Sequence, residues 1–152
     1  MYTENQYEEF EKRIVETYPK MFTEPYGGLA IGPGWWTIIE SLCSQIQHHI
    51  DWKNKQSEVV AQVTVNQIKE KFGGLRFYYS GGDDAIDGMV RMAESWAAYS
   101  CETCGTPGER RGGGWIKTLC DYHEAESQQK RKEYQDKDLQ KSILEAMQGE
   151  SE

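Results

Sequence analysis

Near the start of the chain, Tyr7, Phe10, Ile14 and Tyr18 recur at three- and four-residue spacing with charges between them. That period predicts an amphipathic helix over residues 4–19, ending near Tyr18-Pro19. A loop rich in Gly and Pro follows, TEPYGGLAIGPG. Helical spacing then returns with Trp36, Ile39, Leu42, Cys43, Ile46 and Ile50 on one face, which predicts the helix at the centre of the core. Trp36 is thus expected as a core ring, and Trp35 beside it as an exposed or partly covered one.

The period next changes to two. Val59, Ala61, Val63 and Val65 alternate with Val60, Gln62 and Thr64, and beyond a turn expected over Lys69-Glu70-Lys71-Phe72-Gly73-Gly74 the residues Leu75, Phe77 and Tyr79 alternate with Arg76 and Tyr78. Alternation on both sides of a glycine turn predicts an antiparallel hairpin. A third helix is predicted from Ile86, Met89, Val90, Ala93, Trp96 and Ala97, with Asp83 and Asp84 at its positive N-terminal end. After His123 the chain has dense mixed charge and a thin apolar line of Tyr134, Leu139, Ile143 and Met147. This predicts a C-terminal helix that is solvated, pairs with a second copy, or docks on a partner.

These elements predict an α+β fold in which helices pack on a small antiparallel hairpin or sheet. The organisation expected is a core domain at 1–100, a zinc-knuckle unit at 101–123 and a charged helical tail at 124–152. A chain of 152 residues suffices for one core. The net charge of −8 supplies no overall positive field for a phosphate backbone, so nucleic acid is a disfavoured partner. No stretch approaches the apolar length of a membrane span and the first residues lack a signal-peptide pattern, so no membrane association and a cytoplasmic location are expected.

The strongest chemical signal is CETCGTPGERRGGGWIKTLCDYH, in which Cys101, Cys104, Cys120 and His123 form C-x2-C and C-x2-H pairs separated by fifteen residues. This is the spacing of a structural zinc site: two tight knuckles close a tetrahedron and leave no position for a substrate water. Gly105, Pro107 and Gly108 supply the turn after the first knuckle, and Gly112, Gly113 and Gly114 let the chain bend back. Zinc held for folding is therefore the expected cofactor.

Other polar groups carry weaker signals. Lys69, Lys71, Arg76 and Tyr78 are expected to share one side of the hairpin, a basic and aromatic surface able to take a partner or a small anion such as a nucleotide. Arg110, Arg111 and Trp115 add a second possible contact surface, although Glu102, Glu109 and Asp121 offset the cations around the knuckles. That balance counts against nucleic-acid binding by the zinc unit. His48 and His49 point about 100° apart on a helix and do not chelate one metal together. Cys43 is expected as a buried structural thiol. No triad, paired carboxylates or open metal site demands an enzyme.

Three blocks, GWWTIIESLC at 34–43, QIKEKFGGLRFYYSGG at 67–82 and the cysteine-histidine segment at 101–123, give the chain a resemblance to a family of small uncharacterised proteins encoded by bacteriophages and prophages. The resemblance covers the middle two thirds of the chain in order, without the first helix or the tail. It implies a phage accessory protein made in the bacterial cytoplasm, carries the zinc ligands onto Cys101, Cys104, Cys120 and His123, and implies no known activity. By analogy of class, the expected function is non-enzymatic: binding and modulating a host factor, including one of anti-phage defence, or a phage protein. Sequestration of a small nucleotide signal, with a homodimer as the possible host of its pocket, is the alternative, followed by a nucleic-acid-binding zinc protein.

Overall fold

The computed structural model describes residues 2–112 and 114–149; Met1, Gly113, residues 150–152 and the side chains of residues 146–149, Met147 among them, lie outside the described residues. The chain forms two compact units, Met1–Cys120 and Asp121–Glu152. The first contains α1 (Glu4–Thr17), β1 (Leu29–Ala30), a 3-10 turn (Pro33–Trp35), α2 (Trp36–Lys55), β2 (Ala61–Lys71), β3 (Gly74–Gly82), α3 (Asp84–Ala97), β4 (Glu109–Arg111) and β5 (Lys117–Leu119). The second is the long helix α4 (Asp121–Gly149). The α+β class expected from the periodicities is the one observed.

A three-stranded sheet runs in the order β1-β2-β3, with β1 parallel to β2 and β2 antiparallel to β3. Its inward residues Val63, Val65, Ile68, Leu75 and Phe77 meet Ile39, Leu42, Ile46 and Ile50 of α2 and Ile86, Val90, Ala93 and Ala97 of α3 in one buried cluster. Burying each such side chain contributes about 1.5–3 kcal/mol, so this layer supplies most of the driving force for the first unit. The Phe10 ring of α1 stacks on Trp36 at 4.5 Å, which attaches the first helix to the second.

Local chemistry fixes the ends. Thr3 and Gln6 form a capping box at the start of α1. The Asp83 carboxylate accepts the Ile86 N–H at 3.0 Å to cap α3, and its other oxygen meets His49 Nε2 of α2 at 2.8 Å. Phe72 and Gly73, with φ of 52° and 76°, make the two-residue turn between β2 and β3. Both angles lie in the left-handed region, as a primed hairpin turn requires.

Three expectations are corrected. Val59 is 95% exposed and Val60 is buried, because β2 begins at Ala61 and is bulged between Ala61 and Thr64. A second irregularity between Val65 and Gln67 restores Ile68, not Gln67, to the inner face. At the start of α2 the roles of the tryptophans are exchanged: Trp35, on the 3-10 turn, is fully buried, and Trp36 is the partly covered ring packed on α1. Finally, the Gly- and Pro-rich loop contains β1, whose two residues are too few to leave a period.

In the second unit α4 carries internal pairs such as Lys130 with Glu126 and Lys141 with Glu145, each four residues apart. Tyr134, Leu139 and Ile143 are exposed, as is Leu144. Among the described residues, no helix is long and apolar enough to cross a membrane.

Candidate metal centre

The first knuckle follows α3 after a few residues. Cys101 N–H donates to the Thr106 carbonyl and Gly105 N–H donates back to the Cys101 carbonyl, both at 2.8 Å. Gly105 sits at φ +78°, a conformation that a side chain would strain. The returning hairpin of β4 and β5, registered as Glu109 with Leu119 and Arg111 with Lys117, delivers Cys120. His123 follows three residues later in the first turn of α4.

The ligand atoms of Cys101, Cys104, Cys120 and His123 all lie within 4.8 Å of one another. Cys104 Sγ and Cys120 Sγ are 3.9 Å apart, far beyond the roughly 2.05 Å of a disulfide. Burial pushes the Cys101 thiol up in pKa, opposed by hydrogen bonds from the backbone of Cys120, Cys104 and Thr103. Those donors would share the charge of a coordinating thiolate, so the backbone is arranged for the metal-bound form of the sulfur. The cluster can hold a metal ion through four protein ligands.

What the sequence reading did not find is the clasp that holds the knuckle to the core. Gly34 N–H donates to the Glu102 carbonyl at 2.7 Å, Gly32 N–H donates to the Glu102 carboxylate at 3.0 Å, and the Trp35 indole N–H donates to the Ser100 carbonyl at 2.8 Å. A Cβ on Gly34 would collide with the Cys101 carbonyl and crowd the backbone nitrogens of Gly105 and Cys104. The glycine is required by this close approach. Burial pushes the Glu102 carboxyl up in pKa, offset by the Gly32 N–H and by Lys117. On the other side, the Thr118 hydroxyl donates to the Gly73 carbonyl at 2.6 Å in a buried contact, and Arg110 donates to the Phe72 carbonyl. The metal loop thus touches both Gly34-Trp35 and the Phe72-Gly73 turn.

The other candidate residues divide. Lys69 and Arg76 are directly opposite in the sheet, Gln67 is opposite Tyr78 and Lys71 is opposite Gly74. Lys69, Lys71, Arg76 and Tyr78 therefore share the face of the hairpin that points away from the helices. Arg110 and Arg111 have structural contacts: Arg110 at the turn, and Arg111 with the Glu109 carboxylate at 2.9 Å. Trp115 is 75% exposed and stands between two cavities. One, of about 610 Å³, includes Tyr7, Gly32, Glu70, Glu102 and Lys117; the other, of about 340 Å³, includes Lys71, Phe72 and Ile116. His49 is engaged with Asp83, and Cys43 is buried with its thiol pushed up to about 12 by burial and then by Glu40.

No family model, curated protein or solved structure matches this chain.

Proposed function

We propose that this chain is a non-enzymatic, zinc-stapled binding protein of a bacteriophage or prophage, acting in the bacterial cytoplasm on a host protein, including one of anti-phage defence, or on a phage protein. The observation that carries the zinc reading is the closed donor set of Cys101, Cys104, Cys120 and His123 within 4.8 Å. A tetrahedron with zinc–sulfur bonds of about 2.3 Å has edges of about 3.8 Å, and the Cys104–Cys120 separation of 3.9 Å fits it. Zinc would supply structure here: three thiolates and one imidazole fill its coordination and leave no place for a reacting water.

The binding half of the proposal is supported by the hairpin. Phe72 is 63% exposed and holds a left-handed conformation that costs a residue with a Cβ about 1–2 kcal/mol. The turn sets that backbone conformation, and the ring it leaves in solvent is an apolar surface open to a partner. A second reading, sequestration of a small nucleotide, is favoured by the cavity in which Lys71, Phe72 and Trp115 supply a cation and two rings, and is opposed by the Glu70 carboxylate in the same lining.

Native mass spectrometry of the protein from its expressing cells, before and after chelation, tests these readings together. One zinc per chain and a bound protein partner support the proposal, and one zinc with a retained nucleotide moves the second reading ahead. A chain without metal removes the zinc reading.

A further inference from the structure

The outward face of β2 and β3 contains an electrostatic conflict that the fold itself does not resolve. Lys69 and Arg76 are direct cross-strand partners, and Lys71 is the next outward residue along β2. Like charges directly opposite on a sheet destabilise it. Among the described residues, no carboxylate pairs with Lys69, Lys71 or Arg76. The two lysines instead lie against aromatic rings: Lys69 Nζ is 5.8 Å from the centre of Tyr78, and Lys71 Nζ is 5.8 Å from that of Phe72. In a chain with 25 acidic residues against 17 basic ones, three neighbouring cations on one face with no carboxylate at ion-pair distance, Glu70 between the lysines being opposite the inward Leu75, form a segregated patch.

We propose that this face, formed by Lys69, Lys71, Arg76 and Tyr78, binds a short acidic segment of the protein partner. The inference rests on the reading of the chain as a binding protein and gives the chemistry of what is bound. Carboxylates entering between Lys69 and Arg76 convert their repulsion into two attractive pairs, and Arg76 offers a planar fork of donors to one of them. Tyr78 presents a ring and a hydroxyl beside the cations for an apolar or amide neighbour.

The size of the patch selects a short acidic segment over a nucleic-acid strand. Lys69 and Lys71 are two residues apart, about 7 Å along the strand. Beyond them the outward residues Thr64, Asn66, Gln67 and Ser80 are neutral, with Asn66 donating to Ser80 Oγ at 3.3 Å. About two or three carboxylates fill such a patch. A strand of phosphates would extend past it over a molecule of net charge −8, within the roughly 8 Å over which charges act at physiological ionic strength.

The test uses the full chain and a fluorescently labelled glutamate-rich peptide, with a thymidine oligonucleotide and ATP as competitors. Wild-type protein binds the peptide with an affinity that falls as salt rises. Lys69→Glu weakens it about tenfold or more while raising the melting temperature by about 1–4 °C, because the substitution makes a cross-strand ion pair with Arg76. Arg76→Glu gives the same pair of effects from the opposite strand and serves if the first variant fails to fold. A structural role for the cations predicts the reverse, loss of stability without loss of binding, and that result overturns the proposal. Tighter binding of the oligonucleotide or ATP than of the peptide also overturns it. Metal-free protein that still binds through Lys69 would remove the zinc reading and leave this inference standing. Metal-loaded protein whose affinity for the glutamate-rich peptide is unchanged by Lys69→Glu would overturn this inference alone.

Discussion

The helix and sheet layer and the metal loop that follows it are ordered by different means. The layer has a continuous apolar cluster drawn from α1, α2, β2, β3 and α3. Among the described residues between Cys101 and Cys120 the buried side chains are Cys101, Thr118 and Leu119, and the strands β4 and β5 are three residues each. Such a segment lacks the burial to offset the entropy of its own ordering, about 1–2 kcal/mol per residue for the backbone. The clasp to Gly32, Gly34, Trp35 and Gly73 ties it to the layer, and on the zinc reading proposed above the four-ligand cluster would hold the rest. The contrast teaches that apolar burial builds the layer, while the loop is ordered by backbone contacts and, on the proposed zinc reading, by coordination.

Substitutions in the two regions separate these means. Ile46→Ala, in the centre of the layer, should cost about 4 kcal/mol in chemical denaturation with unchanged metal affinity in the protein that remains folded. Gly34→Ala should cost about 2–3 kcal/mol and also weaken metal binding in a competitive chelator titration, since its Cβ displaces the Cys101 backbone. If Gly34→Ala lowers stability and leaves metal affinity intact, the clasp and the metal are independent.

The sequence revealed the parts whose order comes from patterns. Phe10 and Ile14, the Ile39 to Ile50 face and Ile86, Val90, Ala93 and Ala97 are periodic and buried as the period requires, whereas Trp96, expected on the same face of α3, is 59% exposed and Met89 is only partly buried. The ligand spacing was equally plain, because a knuckle is a local structure and leaves a local signature. What escaped depends on contacts between distant segments. Gly34 looks like any loop glycine until the backbone of Cys101, 67 residues further along the sequence, approaches it. Thr118 shows no sign that its hydroxyl serves Gly73, and the pairing of β1 with β2 involves Leu29 with Ile68 and Ala30 with Lys69 alone. The exchange of Trp35 and Trp36 has a local cause: the 3-10 turn from Pro33 rotates the first ring into the core before helical spacing begins.

Smaller effects sharpen the comparison. Thr118→Val keeps the volume but leaves the Gly73 carbonyl without its buried donor, and should cost about 1–2 kcal/mol, read as faster hydrogen exchange around both hairpins. Asp83→Ala, far from the metal loop, should cost about 1 kcal/mol through loss of the α3 cap, with metal affinity unchanged. The His49 hydrogen bond, outweighing burial and assisted by the Ile86 N–H, holds the Asp83 carboxyl below its ordinary value. Its stabilising contribution is therefore complete at neutral pH and is lost as the pH falls through that lowered value. Denaturation of wild type and Asp83→Ala should differ at neutral pH and converge in acid.

The most direct measurement is hydrogen exchange of zinc-loaded protein with and without a chelator. A metal staple predicts that the amides of Cys101, Gly105 and Gly108, which now donate to Thr106, Cys101 and Tyr99, lose protection on chelation, while those of α2 and α3 keep theirs. Unchanged protection between Cys101 and Cys120 after the metal is gone would contradict a staple, because the loop would then be ordered by its protein contacts alone.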